Sequence, residues 1–329
     1  MPIPEADISI LIPTFMYRDK VGRAVASALA SGAGEIVVTD DRSRDGTIEF
    51  LAGFADPRLK VIENPRKLGL WENHLAALGH ATRPWIKFIQ ADDYLLAGGL
   101  ARFAAAVEPD VSLVWSCAVV KDDMTGADMR YHDLALPRRV PGEVVLAACL
   151  HAGWILGSPS HVLVRSDLVP RAPGAWVTDI SADVILGATA AAHGDVVLLP
   201  PGAIGQGDHP RQDAKTQGER RGLRRLVATA AYLCDRPEPL LGRFATCWAA
   251  MNRRVAWRTA AKGVLRGKIP FPEAAYLLGR NHLIARQARP HRAILDAASA
   301  SRAALRPPVD LTALLDRLGR DLATFFGTR

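Results

Sequence analysis

The sequence predicts an α/β protein: a mostly parallel sheet with helices on both faces, followed by a helical carboxyl-terminal region. Three observations carry this. Apolar runs of strand type alternate with helical patterns at short spacing through the first 100 residues. Two pairs of adjacent acids, Asp40 with Asp41 and Asp92 with Asp93, each stand where such a run ends. Beyond about residue 217 the apolar spacing is helical, broken at Pro237, Pro239, Pro270, Pro290, Pro307 and Pro308. The expected division is residues 1–212 as an α/β domain and 213–329 as a basic, mainly helical region.

The elements follow in order. "DISILIPTF" is a β-rich run ending at Pro13, and "DKVGRAVASALA" places Val21, Ala24, Val25, Ala28 and Leu29 at helical spacing. "EIVVTDD" is a second buried-type strand; "DGTIEFLAGFA" reads as a turn, a Thr47 cap and a helix. "LKVIEN" and "WIKFIQ" are the third and fourth strands, with the helix "GLWENHLAALGHA" between them. Farther on, "VSLVWSCAVV" and "SHVLVR" read as strands, "GEVVLAACLHAGW" as a helix, and "DISADVILGATAAAHGDVVLLP" as helix then strand. A loop, "GAIGQGDHPRQD", is expected next.

The net charge of +7 hides an asymmetry. Residues 211–329 hold 23 Lys and Arg against 9 Asp and Glu, about +14, which leaves the first 210 near −7. The basic residues are interspersed with Ala and Leu, as on solvated faces of packed helices, or as on helices that rest on an anionic membrane or join a homo-oligomer. No recognition motif accompanies the charge, so no nucleic acid is expected. No secretory signal or apolar run of spanning length is seen, and a cytoplasmic location is expected, with peripheral contact at the inner membrane face as the alternative to a free protein. Cys117, Cys149, Cys234 and Cys247 lack paired short spacings and read as buried thiols. His74, His80, His151, His161, His193, His282 and His291 show no ligand spacing.

The acid pairs pose the chemical question. Adjacent carboxylates delivered to the carboxyl rim of a parallel sheet repel unless a cation or hydrogen-bond donors intervene. Ligands collect at that rim in such sheets. Hard oxygen donors suit Mg²⁺ or Mn²⁺, with substrate phosphates completing the shell.

The ordered set "ILIPTF", "VVTDDRSRDGT", "NPRKLG" and "WIKFIQADD" resembles the nucleotide-sugar-binding half of family 2 glycosyltransferases, which have the GT-A, Rossmann-like fold; the resemblance spans about residues 7–210. It implies that Pro13, Thr14 and Phe15 line a base pocket, that Asp41 accepts a hydrogen bond from the base, that Asp92 sits near the ribose and that Asp93 holds the metal. "NPRKLGLWEN" is similar to a Gly-x-x-x-Asn element of one branch, here Gly69 to Asn73, with Lys67 or Arg66 close to the nucleotide. Two positions depart from the pattern: Leu75 stands where a further Asn is common, and Gln90 replaces the first acid of the Asp-x-Asp signature.

By the same resemblance, Asp183 at the start of "ADVILGATAA" is the general base, with Asp179 competing, and the plain alternative is a helix-opening acid. A helix amino terminus favours its ionised form; partial burial opposes that. His209 matches a loop that closes over diphosphate and metal, Gly205 and Gly207 giving it freedom to move.

The implied activity is inverting transfer of a sugar from a UDP- or GDP-linked donor to a hydroxyl of a glycan, lipid-linked saccharide or small aglycone, as in cell envelope polysaccharide synthesis, with Mn²⁺ or Mg²⁺. The alternative is a non-catalytic nucleotide-binding or scaffold protein with a degenerate site. A dinucleotide oxidoreductase lacks its Gly-x-Gly-x-x-Gly turn after the first strand, a sugar nucleotidyltransferase its basic triphosphate loop, and no nucleophile elbow surrounds Ser158 or Ser160.

Overall fold

Seven consecutive buried residues, Ile8–Thr14, form strand β1, and the continuous burial marks a strand covered on both faces. It pairs in parallel with β2 (Glu35–Asp40) and β4 (Trp85–Phe88), and β2 pairs in parallel with β3 (Leu59–Glu63). The register sets Thr14 beside Asp40, and Asp40 beside Glu63. Parallel strands share direction, so this register lines up their carboxyl ends at one rim.

The computed structural model describes residues 2–122, 128–130, 139–152, 154, 156–172, 174, 180–210 and 218–288. Its contacts divide the chain into two units: Met1–Arg139 with Leu156–Trp176 and His193–His209, and Val140–Ile155 with Val177–Ala192 and Pro210–Arg329. The boundary expected near residue 212 thus falls after His209, and two earlier segments join the second unit.

In the first unit the strand order is β3-β2-β1-β4-β9-β6-β10-β5, with β5 Tyr94–Leu95, β6 Val111–Asp122, β9 Val162–Arg165 and β10 Asp195–Asp208; β7 (Asp128–Arg130) pairs with β6. The first four strands are parallel as expected. The sheet as a whole is mixed, because β9 runs antiparallel to both β4 and β6 and β5 runs antiparallel to β10.

One face of β1, Ile8, Ile10 and Ile12, packs on Val21, Ala24, Val25 and Ala28 of α1 (Val21–Leu29) and on Leu100, Phe103 and Ala104 of α4 (Gly99–Ala105). Burying each of those valines stabilises the fold by roughly 1.5–3 kcal/mol before entropy is counted. Helix α3 (Leu70–Gly79) packs on β1 and β2 from the other side through Trp71, Ala77 and Leu78.

Two local expectations need correction. Thr47 is the first residue of α2 (Thr47–Leu51), not its cap; Gly46 holds that position, and the Asp45 carboxylate accepts the Thr47 N–H and hydroxyl at 3.3 and 2.5 Å. The glycine-rich "GAIGQGD" is the second half of β10, not a loop. Gly205 pairs with Tyr94, and a Cβ there would come within 2.3 Å of the Tyr94 ring, so the glycine admits a ring rather than a hinge. Residues 211–213 of the expected loop lie outside the described residues.

The second unit holds Val140 of β8 (Arg139–Val140), α5 (Gly142–Ala152), α6 (Ala182–Ala191) and four further helices, α7 (Glu219–Cys234), α8 (Pro239–Met251), α9 (Arg253–Leu265) and α10 (Phe271–Ala285); prolines mark the breaks between α7 and α8 and between α9 and α10, and Asn252 alone separates α8 from α9. Leu223 and Val227 of α7 pack with Ala256 and Ala260 of α9 and Ala274 of α10. Glu273 pairs with Arg220 and Arg224, and Glu219 with Arg266. Cys149 and Cys247 are buried and Cys234 is half-buried; the Cys117 side chain lies outside the described residues. Among the described residues no helix is long and apolar enough to cross a membrane.

Candidate active site

The rim of β1 and β2 is closed by a polar network. Asp41, just past β2, is buried, and its carboxylate accepts the backbone N–H of Leu68 at 2.6 Å and of Gly69 at 2.8 Å, and the Asn64 amide at 3.2 Å. Three of its roughly four acceptor directions are used. Gly69 makes the second of these bonds at φ +107°, a conformation that favours glycine, and it immediately precedes α3.

Asn73, on the first turns of α3, donates to the carbonyls of Thr14 and Thr39 at 3.1 and 3.2 Å and accepts from Asn64 at 2.8 Å. It satisfies carbonyls at the end of the β1–β2 ladder and ties α3 to the rim. The Gly-x-x-x-Asn element is therefore a brace. Thr14 Oγ1 and Asp40 Oδ1, on residues facing each other across β1 and β2, are buried with no hydrogen-bond partner among the described residues. Burial also pushes the Asp40 carboxyl up, against the opposing Ser43 bonds.

The loops after β1 and β2 hold each other. Ser43 Oγ accepts the Met16 N–H at 2.7 Å, and Asp45 accepts the Arg18 N–H at 3.1 Å. Met16 and Arg42 sit at φ +58° and +64°, sparsely populated for side chains of their kind, and such conformations cluster at functional sites. Pro13 and Thr14 are buried, while Phe15 is half-exposed with the Lys67 ammonium 3.9 Å from its ring centroid. Two of the candidate nucleotide contacts are thus brought together; Arg66 is exposed.

The second acid pair is built differently. Asp92 accepts a 3.0 Å hydrogen bond from His209 Nε2, and the His209 ring packs edge-on against Tyr17 at 5.7 Å. His209 is buried at the end of β10 rather than carried on a solvated loop. Asp93, also buried, accepts the Gly207 N–H at 3.2 Å and the Ser160 hydroxyl. Its carboxyl is nonetheless pushed well above the ordinary range, by burial first and the Asp92 charge second, and the Ser160, Gly207 and Lys87 contributions do not cancel them.

Beneath it lies a residue the motif reading missed. Lys87, in the middle of β4, is fully buried and donates to the carbonyls of Ser160, Phe88 and Val162, the last two at 3.2 and 3.3 Å. Burial lowers its pKa to about 7, opposed by the Asp93 charge. Lys87 thereby holds the Ser160 backbone while the Ser160 Oγ accepts the Gln90 N–H at 2.9 Å and serves Asp93. A lysine inside the apolar run "WIKFIQ" was the visible signal.

Gln90 has its own partner. His74 Nδ1 lies 2.7 Å from the Leu70 carbonyl and so carries the proton, which leaves Nε2 to accept from the Gln90 amide at 2.9 Å. Burial holds His74 neutral, its pKa lowered to about 4. The residue that replaces the first acid is thus a strut between β4 and α3.

Asp183 lies in the second unit, in the first turn of α6. Burial raises its pKa to about 6, against the backbone N–H bonds of Val184 and of Asp183 itself and the Arg225 charge. Burial thus outweighs the helix terminus that favours the ionised form. Asp179 lies outside the described residues.

The structure brings Asp92, Asp93 and His209 together, and separately Asp41, Asn73 and Thr14. Among the described residues no group of three or more His, Cys, Asp or Glu is arranged to hold a metal. The donor set still has the chemistry of a Mg²⁺ or Mn²⁺ site that relies on substrate oxygens: a buried carboxyl biased toward protonation for want of positive charge, beside a carboxylate and an imidazole.

The fold and the acidic rim define a GT-A-like class: a mixed sheet with helices on both sides and carboxylates at the strand termini. Residues 9–152 match the family model described as glycosyl transferase family 2. Over this stretch, 144 of the 329 residues, the chain is similar to that family. An uncharacterized protein of Mycobacterium tuberculosis is 32% identical over 185 residues, which cover 53% of this chain and 57% of that protein. The match thus spans little more than half of the relative's length. The solved structure of TarS 1–349 from S. aureus in complex with UDP-GlcNAc aligns with a TM-score of 0.64 at 17% identity, covering 98% of this chain and 92% of that one. The mannosyltransferase PcManGT from Pyrobaculum calidifontis, in complex with GDP-Man and Mn²⁺, aligns at 0.54 and 20% identity, covering 98% and 88%.

Proposed function

We propose that the chain is an inverting glycosyltransferase that moves a sugar from a nucleoside-diphosphate sugar to a hydroxyl acceptor. The observation that carries this reading is the Asp92–Asp93–His209 cluster at the carboxyl rim of a family 2-like domain, with one buried carboxyl short of positive charge. Phe15 and Lys67 supply an aromatic face and a cation for the base and phosphates, and Thr14 Oγ1 and Asp40 Oδ1 are polar atoms that a bound nucleotide can satisfy. Asp41, held by three donors, shapes the pocket and offers its remaining acceptor direction to the base.

Asp93 and His209, with Asp92, are the residues to hold Mn²⁺ or Mg²⁺, which when bound offsets the negative charge of a departing diphosphate. Asp183 is the base. As the acceptor oxygen attacks the anomeric carbon and the bond to the diphosphate oxygen breaks, the Asp183 carboxylate takes the hydroxyl proton. A pKa near 6 leaves it mostly ionised at neutral pH yet more basic than an ordinary aspartate.

Calorimetry with UDP- and GDP-linked sugars, with and without Mn²⁺, tests the reading: binding of one nucleotide class that strengthens with metal is expected. A second reading, a nucleotide-binding protein without transfer, draws on the Gln90–His74 pair, which removes one family acid from the rim. Metal-linked binding with no turnover against any hydroxyl acceptor would favour it.

A further inference from the structure

Helix α10 is apolar on two opposite faces. Ala274, Asn281 and Ile284 are buried inside the second unit, with Leu277 and Leu278 packed beside them. At about 100° per residue, Tyr276 and Leu283 fall on the opposite side of the helix from Ala274 and Asn281. They are 62% and 61% exposed, Phe271 at the start of the helix is 72% exposed, and Leu265 at the end of α9 is 88% exposed. Helix α9 is mixed instead: Arg254, Arg258 and Lys262 are exposed on it together with Val255 and Trp257, which are 53% and 60% exposed. A helix that is apolar on both sides is built to be covered on both.

The charge around that face narrows the occupant. Residues 251–288 hold eight Lys and Arg and one acid, Glu273, which Arg220 and Arg224 already engage. Arg280, which donates to the Tyr276 hydroxyl at 3.3 Å, and Arg286 are exposed on the same outward side, and Arg266 and Lys268 flank the α9–α10 turn. A second copy would set like charges against each other. A nucleic acid would satisfy the cations and leave Leu265 and Leu283 without apolar partners.

We propose that the outward face of α10, with the α9–α10 turn, docks on the surface of an anionic phospholipid bilayer. Phe271, Tyr276, Leu283 and Leu265 enter the boundary between headgroups and acyl chains, and Arg280, Arg286, Arg266 and Lys268 lie among the phosphates. This is in-plane attachment of a helix pair, and it does not depend on the transferase reading.

Co-sedimentation of the full chain with vesicles tests it. Binding to vesicles holding about 30% phosphatidylglycerol in phosphatidylcholine should exceed binding to phosphatidylcholine alone by about tenfold or more and should fall in high salt. The double variant Tyr276→Ser with Leu283→Ser, at exposed positions and checked by circular dichroism, should lower partitioning about tenfold or more. Leu283→Cys should react quickly with a water-soluble maleimide in buffer, above the wild-type background, and be protected by the anionic vesicles. Equal binding to neutral vesicles, no binding to anionic ones, or an unchanged double variant would overturn the proposal. So would protection of Leu283→Cys in buffer alone, whether a second copy or residues 289–329 provide it; sedimentation velocity separates those two.

Discussion

Asp40–Asp41 and Asp92–Asp93 are the same dipeptide at the same rim of one sheet, with opposite electrostatic outcomes. In the first pair the outer acid, Asp41, is held by two backbone N–H groups and an amide, so its charge is met by the loop it anchors. In the second, Asp93 receives one backbone N–H and one hydroxyl, with Asp92 beside it, and burial pushes its carboxyl well up. The number of donors that the fold aims at each acid decides whether its charge is met.

The largest effect should come from breaking the side of the contrast that lacks donors. Asp93→Asn should reduce turnover by on the order of 10²–10³-fold and erase the metal dependence of nucleotide binding in calorimetry, because charge stabilisation is lost while an isosteric amide keeps the packing. Metal-linked binding equal to wild type would show that Asp93 is not the cation's partner.

Asp183→Asn should lower the transfer rate by roughly 10²–10⁴-fold while leaving nucleotide binding in place. A base must be ionised to act, so the wild-type rate should fall as pH drops through about 6, the value to which burial raises Asp183. A profile flat from pH 5 to 8 would remove it from the proton-transfer step.

Asp41→Asn tests the braced side and should read mainly in stability. An amide cannot accept with both atoms, so one of the Leu68 and Gly69 N–H groups loses its acceptor, costing roughly 1–3 kcal/mol. Thermal or urea unfolding measures this. A larger loss of turnover than of stability would assign Asp41 a direct role in the chemistry instead.

The effect that sharpens the comparison most is spread over a range of pH and concerns Lys87. Its folded pKa, about 7, lies below the ordinary lysine value. Between those values the unfolded chain binds the proton more readily, so wild-type stability should rise with pH from about 7 toward 10.5 relative to Lys87→Met, by at most about 1.4 kcal/mol per pH unit. Equilibrium unfolding across that range should show the two curves converging at high pH. Parallel curves would mean that Lys87 stays charged in the fold.

Much of this was legible from residue patterns. The β-rich run of β1, the α1 stripe Val21, Ala24, Val25 and Ala28, and the acids that follow β2 and β4 are local signals that survive folding unchanged. What misled were residues whose meaning depends on a distant partner. Gly205 and Gly207 suggest mobility until Tyr94 is seen packed on the first and Asp93 bonded to the second. Gln90 looks like a lost acid until His74 is found 16 residues upstream in sequence and 2.9 Å away in space. The Ser160 hydroxyl sits outside any recognised motif and still supports the metal-site candidate, because β9 returns antiparallel beside β4.

By itself the sequence determined the parallel α/β half, the positions of the acids at strand ends and the basic helical half, because hydrophobic period, turn chemistry and net charge are properties of neighbours along the chain. Only the tertiary structure decided which acid is neutralised and which is not, that Asp183 is driven up rather than down, and that α10 turns an apolar face outward. Those outcomes depend on desolvation and on donors supplied by residues remote in sequence, and both come into being only when the chain packs.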